Sequence, residues 1–144
     1  MASTLVLAVV APAIQAALLA ASGVTALVST RIYDDVQQRP VYPFVLVESG
    51  GEAPFNTLGP SSGLKWGGIA RVDVRVVSQF RGESEGLAIL SAIKQALDGT
   101  LLTVTGYGRT TVTAEPLVPV GVSDVAGVKT REWVLPFSVT AHQS

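Results

Sequence analysis

Alternation is clearest in residues 68–79, where Ala70, Val72, Val74 and Val76 fall on one side of an extended chain and Arg71, Asp73 and Arg75 on the other. A period of two over that length predicts a strand with one buried face and one charged face. Residues 41–48 are apolar on both sides, which predicts a strand covered on both faces, and Pro43 places its start near an edge. Residues 131–141 alternate again, with Trp133, Leu135, Phe137 and Val139 on one side. Pro136 within that run suggests an edge or a bulge. Residues 101–105 and 109–117 are β-prone and separated by Gly106, Tyr107 and Gly108, a turn signal.

The period lengthens to that of a helix in two places. Ile14, Ala17, Leu18 and Ala21 share one face after Pro12, which suits a first helical turn, and before Gly23, which suits a C-terminal cap. This predicts a helix over residues 12–22. Residues 3–10 either extend it or form an apolar arm over residues 1–11. A second helix opens at Glu83 and Glu85, whose charges complement the helix dipole. It carries Gly86, Ile89, Leu90, Ile93 and Leu97 on one face and closes at Gly99.

Residues 50–67 interrupt the pattern with Gly50, Gly51, Pro54, Gly59, Pro60, Gly63 and Gly67. This composition predicts a long loop, yet it holds Glu52, Phe55, Asn56, Leu58, Lys65 and Trp66. Aromatic anchors of that kind fit either a loop folded over its own core or a segment that orders against a partner. Residues 121–129 read as a shorter polar connection. The order of elements predicts an α+β fold, a mostly antiparallel sheet of four to five strands with two main helices on one face. All 144 residues are expected to form a single domain.

Composition narrows the function. The chain has 10 basic and 11 acidic residues, dispersed, for a net charge of −1, and no cysteine. Tight DNA binding needs clustered cations, and disulfide or thiolate chemistry needs Cys. The 48% hydrophobic share suits surface that another chain covers. Residues 1–30 carry no charge, but they lack the positive start of a secretory signal, and Pro12, Gln15, Ser22 and Gly23 weaken a membrane span. A membrane-tethered or exported domain is the alternative resting on that segment alone.

No catalytic or metal pattern emerges. His142 is the sole histidine and lies in a C-terminal tail that tends to fray. Asp34 and Asp35 are neighbours in sequence and read as turn residues. Neither H-E-x-x-H, a calcium loop nor a Walker loop is present. The expectation is a non-enzyme with no cofactor. The alternating charges of Arg71, Asp73 and Arg75 read as a solvated strand face or as a stripe matched to a neighbouring subunit.

The order of short motifs resembles the tail terminator, or tail completion, family of long-tailed bacteriophages. The similarity runs through Ala16-Ala17-Leu18-Leu19-Ala20, Thr25-Ala26-Leu27-Val28-Ser29-Thr30-Arg31-Ile32-Tyr33-Asp34 and the strand start Tyr42-Pro43-Phe44-Val45. It continues in Asp73-Val74-Arg75-Val76-Val77-Ser78, Gly82-Glu83-Ser84-Glu85, Ala92-Ile93-Lys94-Gln95-Ala96-Leu97-Asp98-Gly99 and the closing residues 131–140. The resemblance implies a virion protein assembled in the host cytoplasm as a ring, a homohexamer, at the head-proximal end of the tail. Such a ring stops tail tube polymerisation and meets the head-side connector or stopper. DNA passes through it without tight binding, and no membrane is involved. Partner contacts would map onto residues 50–67 and 121–130. Another connector ring, a stopper or head completion protein, is the related alternative.

Overall fold

A computed structural model describes residues 7–35, 37–56, 66–104 and 107–143. Helix α1 spans Leu7–Ala20 and buries Val10, Ile14 and Leu18, spaced four apart. Residues 7–10 therefore extend the helix rather than forming an arm. Pro12 lies inside it and not in its first turn. The ring removes a bond to the carbonyl of Ala8, but both residues are on the exposed side, where water can satisfy that carbonyl. The helix stops at Ala21, whose ψ of 109° is extended, and the axis turns by 80° into α2, Ser22–Val28. Gly23 sits within the first turn of α2 instead of capping α1. The left-handed residue that ends this helical run is Ser29, with φ 56°.

A two-residue strand, β1 (Ile32–Tyr33), pairs in parallel with Val45 and Leu46. Arg31 Nε donates to the carbonyl of Pro43 at 2.8 Å and ties this segment to the start of β2. Strand β2 spans Phe44–Asn56, and β3 spans Trp66–Ser78. Their antiparallel ladder runs from Phe44↔Val77 to Asn56↔Trp66. Of the expected loop over residues 50–67, residues 50–56 and 66–67 are strand, and residues 57–65 lie outside the described residues. The glycines misled because they serve a bulge between Ser49 and Gly51. A Cβ at Gly50 would fall 2.8 Å from Arg71 Cγ, and Gly51 has φ +115°. Only glycine fits both demands.

Helix α3, Ser84–Leu97, buries the predicted face of Gly86, Ile89, Leu90, Ile93 and Leu97 and ends at Gly99, φ +74°. Strand β4 spans Tyr107–Ala114, β5 spans Val118–Val125, and β6 spans Val128–Gln143. Residues 121–129, expected as a polar connection, instead hold the end of β5, a turn at Ala126-Gly127 and the start of β6. Both turn residues are left-handed, at φ 51° and 83°, the geometry of a tight hairpin. Residues 101–105 form no strand of their own among those described. Leu101 makes a single bridge to Thr111, and residues 99–102 run along the outer edge of β4.

The sheet has six strands in the order β1-β2-β3-β6-β4, with β5 also beside β6. Residues 137–143 of β6 pair with β4, and residues 128–134 pair with β5 along the same edge. Pro136 occupies the changeover and is central in the sheet, contrary to the edge expected for it. Its nitrogen faces the gap between the two partner strands, where no donor is needed, and its carbonyl accepts from Glu115 N at 2.8 Å.

The helices cover one face. Val45, Val47, Ala70, Val72, Val74, Val76, Trp133, Leu135, Phe137 and Val139 meet the buried residues of all three helices in one cluster. This is the expected α+β architecture, with six strands and three helices among the described residues where fewer were predicted.

Candidate assembly surfaces

The face of the sheet opposite the helices carries three zones. At its centre, Arg75 lies between two acids from neighbouring strands. Its Nε is 2.8 Å from Glu48 Oε1 on β2, and its Nη1 is 2.8 Å from Glu132 Oε2 on β6. The hydrogen bond to Glu48, more than any other interaction, raises the guanidinium pKa above its ordinary value, against a smaller opposing effect of burial. Arg71 Nε pairs with Asp73 Oδ1 at 3.0 Å on the same strand. The sequence placed Arg71, Asp73 and Arg75 on one face but could not find Glu48 and Glu132, since their apposition depends on register. All three are paired within the chain, and the Arg71 side chain is the most exposed of them at 56%.

Towards the start of β2 the face becomes apolar. Phe44, Leu46 and Val77 form a second buried cluster beneath Tyr33 and Tyr42, with the Tyr42 and Phe44 rings 5.3 Å apart. At the other end, a shallow groove of about 570 Å³ runs between the Gly50-Gly51 bulge, Ile69, Pro116, Val118 and Pro136.

Strand β5 is exposed along its whole length. Val118, Val120, Val122, Val125 and the facing Val128 all stand open, Val120 and Val122 at 51% and 52%. Strand β3 ends its pairing with β6 at Ser78↔Arg131, so the β5–β6 ladder continues beyond the sheet. The resemblance pointed to residues 121–130, and they form this hairpin end.

Of the loop candidates, Glu52, Phe55 and Asn56 are on β2 and Trp66 is on β3, at the far end of the paired ladder. Leu58 and Lys65 lie outside the described residues. The register of β6 sets the two hairpins apart: Gly67 pairs with His142, while the β5 turn precedes Val128 at the other end of the same strand. The described parts of the two candidate contact regions, residues 52–56 with 66–67 and residues 121–130, therefore lie at opposite ends of the sheet.

His142 is not in a frayed tail, because its backbone is paired in β6. Among the described residues, no group of three His, Cys, Asp or Glu could hold a metal. Among the same residues no single helix is long and apolar enough to cross a membrane, and the buried faces of α1 and α2 pack into the core.

The described residues thus combine open strand edges, an exposed apolar hairpin and a central charge cluster paired within the chain. The chain belongs to the family described as tail completion protein gp17, which it matches over residues 12–139. Its fold is that of a chain in a solved structure entitled "Virion of native gene transfer agent (GTA) particle", with a TM-score of 0.74 at 21% identity. That likeness covers 97% of this chain and 99% of the other. No curated protein sequence matches. The protein is a virion structural component of the tail-completion type and not an enzyme.

Proposed function

We propose that this chain forms a ring, a hexamer, at the head-proximal end of a phage tail tube, ends tube polymerisation there and joins the tail to the head-side connector. Family membership over residues 12–139 carries the reading. The bipolar layout of the sheet supports it. A joining ring needs two unlike surfaces for two unlike neighbours, and the ends marked by residues 50–67 and 121–130 offer them.

The charges suit a passage for DNA. A net charge of −1, with the basic residues dispersed along the sequence and Arg75 paired within the chain, fits a passage that does not grip phosphates tightly. Arg71, Asp73 and Arg75 enter this reading as a stripe that fixes subunit register rather than affinity. Glu52, Phe55, Asn56, Leu58, Lys65 and Trp66 enter it as the contact set for one neighbour, the tube or the connector.

The test is reconstitution. Purified protein mixed with tail tube protein should appear as a ring at one end of each tube, and tube lengthening should stop. Uncapped, still growing tubes would overturn the reading. Phe55→Ala with Trp66→Ala should weaken capping more than folding, and equal loss of both would return these residues to a structural role.

A further inference from the structure

We propose that the free edge of β5 pairs with a second copy of this chain, adding to the uncovered part of that copy's β2. The inference rests on the self-assembly reading above and names the surface that performs it.

The argument follows the edges of the sheet. An unpaired strand edge invites another chain, so proteins cover or charge their edges. Here the outer edge of β4 is covered by residues 99–102, through Gly99 N to Val112 O at 2.8 Å, Leu102 N to Thr110 O at 2.9 Å and Val112 N to Thr100 O at 3.2 Å. The start of β2 is covered by β1 at Val45 and Leu46. Two stretches receive no such cover among the described residues: β5 on one side of the sheet and residues 47–56 of β2 on the other. The β5 edge carries Val118, Val120, Val122 and Val125, with Asp124 its one charge.

The receiving side has room. A hollow of about 440 Å³ opens beside Val47, Glu48 and Ser49, walled by Ala11, Pro12 and Gln15 of α1. The charges are opposite in sign, with Lys129 and Arg131 of β6 next to β5, and Asp34 and Glu48 lining the hollow beside β2, Glu48 also pairing with Arg75 within its own chain. Because the two edges differ, the contact is head-to-tail, the kind that closes rings rather than two-fold dimers.

The experiment compares oligomer mass and thermal unfolding of the full chain with those of a Val120→Asp/Val122→Asp variant. Both valines are half exposed, so the fold should survive while affinity between copies falls at least tenfold. Ser49→Trp, which fills the hollow on β2, should have the same effect. A mixture of the two defective proteins should form a 1:1 dimer, since each supplies one intact edge. Assembly of the Asp variant like the parent would overturn the β5 contact while leaving the ring intact. A parent chain that stays monomeric at every concentration would instead remove the self-assembly reading itself. Efficient disulfide dimers of a Ser123→Cys variant, in a chain without other cysteine, would show β5 meeting β5 and overturn head-to-tail pairing.

Discussion

Gly86 on α3 lies directly against the six-membered ring of Trp133 on β6, so closely that a Cβ on the glycine would overlap the ring atoms. The missing side chain is what lets the helix approach the sheet. In an exposed helix Ala would be favoured over Gly by about 1 kcal/mol. Here Gly86→Ala should instead destabilise by about 1–3 kcal/mol, because Trp133 is 5% exposed and has little space to retreat. Urea denaturation measures this. In a Trp133→Phe background, which vacates part of the ring, the same change should cost much less.

Arg75→Met should lower stability by about 1 kcal/mol, the scale of two surface ion pairs plus the repulsion left between Glu48 and Glu132. Salt should shrink the difference between variant and parent. The guanidinium pKa is raised by its partners, so its contribution is complete below the unfolded value and is lost only as pH climbs through the folded one. The Arg75 side of this effect should therefore stay flat from neutral into strongly alkaline solution. Denaturation at several pH values would check it.

Ala126 holds φ 51° in the β5–β6 turn, a conformation that costs an alanine and suits asparagine or glycine. Ala126→Asn should raise the thermal midpoint by a few degrees, with a gain of about 0.5–1 kcal/mol. Gly127→Val at φ 83° should lower it by more. Calorimetry of the two variants tests the turn.

Leu18 is fully buried in the core, while its neighbour Leu19 is 40% exposed. Leu18→Ala should cost about 2–5 kcal/mol, and Leu19→Ala less than about 0.5 kcal/mol. A helix whose apolar residues served lipid would not discriminate between adjacent leucines in this way. Equilibrium unfolding in water reads the contrast.

Wherever one side of an element is buried along its whole length, the sequence was legible. Residues 68–79 and 131–141 showed their inward valines and aromatics through simple alternation, and α3 showed its apolar stripe and terminal Gly99. Local rules failed at glycine and proline, whose use depends on neighbours far along the chain. Gly50 and Gly51 looked like a loop and are a bulge inside β2, Gly23 looked like a cap and lies in the first turn of α2, and Pro136 looked like an edge residue and stands at a strand changeover.

By itself the sequence determined the α+β class, the inward faces of the main strands and α3, the lack of thiol chemistry and the resemblance that family membership bears out, because these depend on periodicity, composition and motif order. Tertiary structure alone decided that Glu48 and Glu132 flank Arg75, that β4 is covered while β5 is bare, and that the two hairpins end at opposite ends of the sheet. Those relations are set by pairing register between strands distant in sequence. A shift of one residue would invert every side chain without changing the pattern along the chain.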